Sequence, residues 1–538
     1  MARAPQAVRS TSAALVALTA VVALVTLAGC TVGPSERPPV AVRGDALTSA
    51  PPETTGEGPP ADPNALPAPQ PARELSDLSD CTAETLATLA ADGRAPRPGR
   101  ALQVGCGRLT VPIDPGRPEL GPTRVGLTRV TMPGAPQGRP PLLVVGDVGT
   151  DGSAQQAAAL AGQVPDPVLE TYQLIGMDRR GAGANLLDCS PPDARAALVD
   201  ANPDRVDEAA LTALLDKSRA IVQDCYLLLS GALTSYRASV TADDIETARR
   251  RLGVQRLNVV GVGDGADAVA TWATAHPGSI GRVVLDGPSD PTQDDPARTE
   301  AATRAAEAAF DQFAVACRAD PACPLGPDPR ATVSALVDRV TARPLPTPDG
   351  DQVSAGAVLL AVRTALAEPR RWPQLTAALA AAGDGNPAGM TRLLSPEAGP
   401  QGRFDAALAT RCNDSRARLT PPEAADVAAR WKRAYPLFGA QAAQQLITCA
   451  PWPSPGPAPT AGPMASDAPP VLVIGTAHDP RAPLAGAQRV AEITGTGRLV
   501  RWEGTGTGAY PRTPCVTGAV DRALVSGVAP TQDVVCPP

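Results

Sequence analysis

The 538-residue chain carries 48 Lys and Arg against 55 Asp and Glu, a formal charge of −7, and 43% of its residues are hydrophobic. That length holds one large core with a cap, or two domains. The mild negative charge excludes the electrostatic footprint of a nucleic-acid binder, and the composition is that of an ordinary globular protein.

Arg3 and Arg9 lead into an apolar stretch, residues 12–27, that ends in Leu27-Ala28-Gly29-Cys30. A basic start followed by an apolar run too short for a comfortable membrane span is an export signal. A cysteine directly after Leu-Ala-Gly resembles a bacterial lipobox, which implies that residues 1–29 are removed and that Cys30 bears a lipid holding the protein to the extracytoplasmic face of the cell membrane. The competing readings are an uncleaved anchor and a plain signal peptide with an incidental cysteine. Residues 30–75 are rich in Pro, Ala, Gly, Ser and Thr without apolar periodicity, which predicts a disordered tether stiffened by proline. The folded part is expected to begin near Glu74 to Cys81.

Strands and helices then alternate. Residues 108–114 and 123–132 read as strands, the second with alternating character, and the apolar runs 142–145 and 172–177 read as strands buried on both faces. A helix is expected over 241–252, opened by Thr241 and its acidic first turn. A strand over 257–262, a tight turn at Gly261-Val262-Gly263-Asp264-Gly265, a helix to about Ala275 and a strand over 282–285 follow. Residues 291–468 change texture: they are Ala-rich and helical in pattern, at 299–315, 355–367, 375–382 and 422–434, without a strong strand run. Strand signals return at 471–474 and 499–502. Strands on both sides of a helical block predict one α/β sheet, its first part over 76–290 and its C-terminal part over 469–538, carrying a helical cap inserted over 291–468.

Of eleven cysteines, setting aside Cys30 leaves an even ten, compatible with five disulfides in an oxidising compartment. Pairing sequence neighbours gives Cys81–Cys106, Cys189–Cys225, Cys317–Cys323, Cys412–Cys449 and Cys515–Cys536, a minimal-loop assignment that sequence alone does not prove. The competing reading is a metal site, but the chain has no C-x-x-C pair and only two histidines, so no metal and no cofactor is expected.

The strand, tight turn and helix around Gly263 are the setting of the G-x-S-x-G nucleophile elbow of α/β-hydrolases. Three further stretches, in order, resemble exported actinobacterial α/β-hydrolases related to tripeptidyl aminopeptidases and proline iminopeptidases, over nearly everything from residue 80 onward. These are Asp178-Arg179-Arg180-Gly181-Ala182-Gly183 for the family's D-x-R-G-x-G turn, Ala477-His478-Asp479-Pro480-Arg481-Ala482-Pro483 for its acid loop, and Gly504-Thr505-Gly506-Thr507-Gly508 with Cys515-Val516 for its histidine segment. Val284-Leu285-Asp286-Gly287, running on to Asp290-Pro291, matches the segment after the strand that follows the elbow.

The resemblance implies an α/β-hydrolase fold, a mostly parallel sheet flanked by helices with a helical cap. It also implies a serine, a histidine and an acid acting in relay. The positions that match hold Gly263, Thr507 and Asp479, so only the acid survives. The oxyanion loop is altered as well, to Gly146-Asp147-Val148-Gly149-Thr150-Asp151-Gly152, and carboxylates at 147 and 151 oppose a developing oxyanion unless they point away.

Two residues are candidates to replace the missing chemistry. Asp264 stands where a shifted elbow would place a nucleophilic aspartate, against its plainer reading as an acidic first-turn residue. His478 adjoins the acid, against its reading as a loop residue. Ser153 reads as a turn or cap residue, His276 as a helix-end residue, and Asp178, Asp286 and Asp290 as loop organisers. With Gly263 as its floor, the cleft between cap and sheet is expected to be roomier and less polar than in an active relative. The expected function is a lipid-anchored pseudoenzyme that binds a peptide or small apolar ligand in that cleft, or a protein partner of unknown kind. The alternatives are an exported tripeptidyl aminopeptidase-like peptidase using unrecognised groups and a purely structural lipoprotein.

Overall fold

A computed structural model describes residues 64–399, 402–453, 462–465 and 467–538. The expected export signal, Cys30 and the expected tether up to residue 63 lie outside the described residues. Ten strands form one sheet: β1 (Ser79–Asp80), β2 (Gln103–Pro112), β3 (Pro122–Thr131), β4 (Pro141–Val145), β5 (Gln173–Met177), β6 (Leu257–Val262), β7 (Ile280–Asp286), β10 (Val471–His478), β11 (Gly497–Thr505) and β12 (Val534–Cys536). The two short strands β8 (Leu345–Pro346) and β9 (Gln352–Val353) pair with each other apart from it. The sheet order is β1-β2-β3-β5-β4-β6-β7-β10-β11-β12. β1, β2 and β3 run antiparallel at one edge, and every pairing from β5 to β12 is parallel. This is the α/β-hydrolase fold.

The central strands are apolar on both faces because helices cover both. Leu143, Val145, Val259, Leu285 and Val473 face a core closed by Ile245 and Trp272. Their alternates Leu142, Val144, Val260, Val284 and Leu472 face a second core closed by Ala157, Val168 and Val520. That alternation is what a parallel sheet between two helical layers demands.

The folded region begins earlier than Glu74. Residues 64–75 are a strap without regular structure whose backbone is nonetheless held. Leu66 N–H donates to Gly527 O at 2.7 Å, Ala72 N–H to Gly138 O at 3.2 Å and Arg73 N–H to Leu252 O at 2.8 Å. Leu66, Ala72 and Leu75 are buried, and Pro67 O accepts from Arg282 Nε at 3.0 Å. A segment whose backbone partners are all distant in sequence has no local period to betray it.

The helix expected from Thr241 spans Ala238–Leu252. Its first N–H is met from elsewhere, by the Asp414 carboxylate at 3.1 and 3.2 Å, so no local capping residue marks its start. The residues expected to form the inserted cap are helical, with an aromatic cluster in which Phe310–Phe313 and Phe313–Trp372 ring centroids are 5.5 Å apart. The cap also takes a share of residues assigned to the sheet's first part. The helices Pro192–Val199 and Glu208–Leu229 pack Leu211 and Leu215 against Ala424 and Ile447, and Ala194 and Ile221 lie in one cluster with Ala406 and Leu408. Helical period says that a segment has a buried face, not which layer buries it.

Five disulfides join the neighbouring cysteines: Cys81–Cys106, Cys189–Cys225, Cys317–Cys323, Cys412–Cys449 and Cys515–Cys536. None of the described helices is long and apolar enough to cross a membrane.

Candidate functional site

The carboxyl ends of β4, β6, β7, β10 and β11 bring the loops of interest to one edge of the sheet, where open α/β folds hold ligands. β6 stops at Val262 and the helix Asp264–Ala275 starts at once. Between them Gly263 has φ 60° and ψ −130°, a conformation that strains any residue with a Cβ and that the elbow requires of its nucleophile. The flanking glycines serve close approach: a Cβ at Gly265 would lie 2.4 Å from Val145 O, and one at Gly261 2.8 Å from Ala266 Cα. The elbow's backbone is therefore kept intact while its side chain is gone.

The room above Gly263 is taken. A Cβ built there meets Asp147 Oδ2 at 2.8 Å and Asp147 Cβ at 3.1 Å. Asp147 is anchored by Gly149 N–H at 2.7 Å and approached by Arg481 Nη1 at 3.9 Å. The expectation of a less polar floor is not met: the Asp147 carboxylate lies within contact distance of any side chain that position 263 could carry. Of the two added carboxylates, Asp147 faces the elbow, while Asp151 is turned into ion pairs with Arg94 and Arg403.

The oxyanion loop is also engaged. Val148 N–H, one of the donors that Gly146, Asp147, Val148 and Gly149 offer, donates to Asp264 Oδ1 at 2.9 Å. The same oxygen takes Arg179 Nη1 at 2.8 Å, and Arg179 is itself steadied by Thr241 at 3.1 Å. Asp264 is therefore more than a helix-dipole residue; it bridges the elbow, the oxyanion loop and the turn after β5. Enclosure pushes its carboxyl up to about 7, with Arg179 opposing and the Asp147 carboxylate adding to the rise.

At the acid loop, Asp479 is buried, at 1% exposure. Its Oδ1 accepts from Arg481 N–H at 2.8 Å, Ala482 N–H at 3.0 Å and Thr507 Oγ1 at 2.6 Å, while its Oδ2 has no partner. Burial raises this carboxyl to about 6, against the pull of Thr507 and the two N–H groups. Thr507 thus makes the hydrogen bond to the acid that an imidazole would make. His478 gives only its carbonyl to the network, accepting from Gly506 N–H at 3.2 Å; its side chain makes no hydrogen bond to Asp479, Thr507 or Asp264.

Ser153 opens the helix Ser153–Gln163, with its hydroxyl 3.1 Å from Thr128 Oγ1. His276 caps the end of Asp264–Ala275. Asp178 holds the N–H groups of Ser153 and Ala184, Asp286 those of Ala509 and Tyr510, and Asp290 that of Thr292. Sequence reading missed the two arginines of the site, Arg179 and Arg481. Each stands at a variable position of a motif, and the surplus of carboxylates at 147 and 264 was the signal that charge partners had to be near.

Chemically, the described site has no hydroxyl or thiol hydrogen-bonded to an imidazole; its one hydroxyl on a carboxylate is that of Thr507, donated to Asp479. A carboxyl nucleophile at Asp264 would be part-protonated near neutrality and bound through Oδ1, with no imidazole in contact to activate water.

Residues 435–536 match the family described as TAP-like protein. The chain is 28% identical over 472 residues to the serine protease Hip1 of Mycobacterium tuberculosis, covering 82% of this chain and 88% of that one. It is 28% identical over 464 residues to carboxylesterase B of the same species, covering 80% and 86%. Tripeptidyl aminopeptidase of Streptomyces lividans is 26% identical over 498 residues, covering 88% and 89%. The chain is thus similar to actinobacterial hydrolases of the tripeptidyl aminopeptidase type along most of its length.

Proposed function

We propose that this hydrolase-like chain is an exported, lipid-anchored pseudoenzyme that acts by binding at the cell envelope. The observation that carries the reading is the carboxylate of Asp147 seated 2.8 Å from where a Cβ at Gly263 would stand. Thr507 closes on Asp479 at 2.6 Å and Asp264 takes Val148 N–H, so the acid and an oxyanion-loop donor are both engaged within the protein. A triad needs the reverse, with a free nucleophile and a base held apart from competing partners. Lipidation at Cys30 rests on the Leu27-Ala28-Gly29-Cys30 sequence alone and is tested by mass spectrometry of the N-terminal peptide, which gains a diacylglycerol if the reading holds.

The second reading, an exported peptidase using other groups, draws its support from relatives named as protease, esterase and aminopeptidase. One experiment separates the two. The purified protein is offered aminoacyl and peptidyl chromogenic substrates, short-chain esters and a serine-directed fluorophosphonate. Silence on all three supports a binding protein. Turnover abolished by Asp264→Asn or His478→Ala establishes the peptidase.

A further inference from the structure

A half-open cavity of about 190 Å³ lies among the helices of the cap, apart from the sheet-edge loops. Its apolar wall includes Leu360, Phe404 and Leu408, and two guanidinium groups, Arg363 and Arg411, also line it. Each is held by a neutral group: Arg363 Nη1 donates to Gln445 Oε1 at 3.1 Å and Arg411 Nη2 to Thr448 Oγ1 at 2.8 Å. Glu397, the one carboxylate among the described lining residues, lies 3.5 Å from Arg481 instead. Arg363 is half-buried and Arg411 exposed at the rim. Neither makes an ion pair with Glu397, whose charge still acts on Arg363, and their planar forks suit a carboxylate. Packing against neighbouring groups, with Arg411 and Arg481 adding to it and Glu397 opposing it at Arg363, lowers both pKa values to about 10, so each stays charged at neutral pH.

A second, independent observation fixes more of the ligand. Gln441 and Gln444 line the same cavity. Their amide nitrogens are committed to backbone carbonyls, Gln441 to Gly356 at 2.8 Å and Gln444 to Asn202 at 2.7 Å. That orientation leaves both Oε1 atoms buried without a partner. Buried acceptors without donors call for an N–H or O–H from a ligand or water. The volume is somewhat above the ~150 Å³ that encloses a benzene ring, enough for one apolar side chain with its acid group.

We propose that the cap cavity binds a small carboxylate whose apolar body carries an amide N–H beside the acid, the chemistry of an N-acyl amino acid or of a peptide carboxy terminus. The arginines take the carboxylate, the glutamine oxygens take the N–H, and the leucine and phenylalanine side chains take the body. This site is separate from the vestigial triad positions and does not depend on whether catalysis is lost.

The test is calorimetric titration of the whole exported protein with four probes. These are N-acetyl-L-leucine, its uncharged N-acetyl-L-leucinamide, 4-methylpentanoate, which lacks the N–H, and Ala-Ala-Leu. N-acetyl-L-leucine is expected to bind, the amide about tenfold or more weakly and 4-methylpentanoate more weakly too; Ala-Ala-Leu binding alongside it makes the source a peptide end, and its failure makes it a free acyl amino acid. Arg363→Gln and Arg411→Gln should each weaken N-acetyl-L-leucine about tenfold or more, with melting temperatures unchanged or raised because a cation has been removed. Equal binding of acid and amide overturns the proposal on the native protein alone. So does an unchanged affinity in folded Arg363→Gln/Arg411→Gln, and so does binding of none of the probes. Turnover of chromogenic substrates in the same preparation would sink the pseudoenzyme reading and leave this one standing.

Discussion

At Gly263 the chain has the backbone shape of a nucleophile elbow and no side chain to use it. Positive φ there suits glycine and strains everything else. Replacing Gly263 with serine adds the strain of φ 60° and a contact of 2.8 Å with the Asp147 carboxylate. We therefore expect Gly263→Ser to lower unfolding stability by about 1–3 kcal/mol, read by denaturant titration. The same contact decides how activity is regained. Gly263→Ser/Thr507→His should remain unlabelled by a fluorophosphonate, because the Asp147 carboxylate still lies against the nucleophile. Adding Asp147→Gly should permit labelling; labelling of the double variant would show that Asp147 swings aside freely. The absence of serine at 263 and histidine at 507 was legible from motif spacing. The seating of Asp147 was not, since a loop carboxylate's direction depends on Arg481, more than three hundred positions away in the chain.

At the scale of elements, legibility followed local pattern. β6 and the helix Asp264–Ala275 were readable because an apolar run, spaced glycines and an Ala-rich helix all point to one local geometry. The strap 64–75 was hidden for the opposite reason: its proline-rich composition reads as tether, and only Leu66, Ala72, Leu75 and a few distant backbone bonds make it structure. A chain started at residue 76 lacks those side chains, uncovers the apolar surface they bury and leaves Gly527 O and Leu252 O without their donors. We expect it to unfold several degrees below a chain started at residue 62, a difference scanning calorimetry reads directly; equal melting temperatures would make the strap dispensable. The cap has its own staple in Cys412–Cys449, separated by 37 positions. Replacing both cysteines with alanine should cost about 4 kcal/mol by loop-closure entropy, with proteolysis falling first within 404–453.

For the whole molecule, buried carboxyls set the response to pH. Burial raises Asp286 and Asp479 to about 6, and the packing around the part-exposed Asp414 and Asp264 raises them to about 6 and about 7. Each holds its proton more tightly folded than unfolded, where aspartate titrates near 4. Their contribution to stability is therefore full below about pH 4 and is lost as pH rises through 6 to 7. Glu246 acts in the other sense. Its three partners Arg249, Arg250 and Trp272 outweigh burial and bring it to about 2, so its contribution is present above about pH 4 and lost as pH falls through 2. The melting temperature should peak in mild acid and decline from pH 5 to pH 7.5, and Asp479→Asn should flatten part of that decline. A melting temperature that climbs to pH 7.5 would contradict the assignment.

The ionic contacts around the old catalytic edge also have a mechanical meaning. Glu397 and Arg403 both belong to the cap, and each is tied to a sheet-edge loop, Glu397 to Arg481 and Arg403 to Asp151, which Arg94 holds from the far side. Two rivets at neighbouring points along one seam resist rotation as a single hinge pin does not. The cap is thus tied at two points to the loops beside the elbow, Arg481's and Asp151's, rather than at one. Charges that are only partly exposed feel salt weakly, so this joint should hold at ionic strengths that would loosen a surface ion pair.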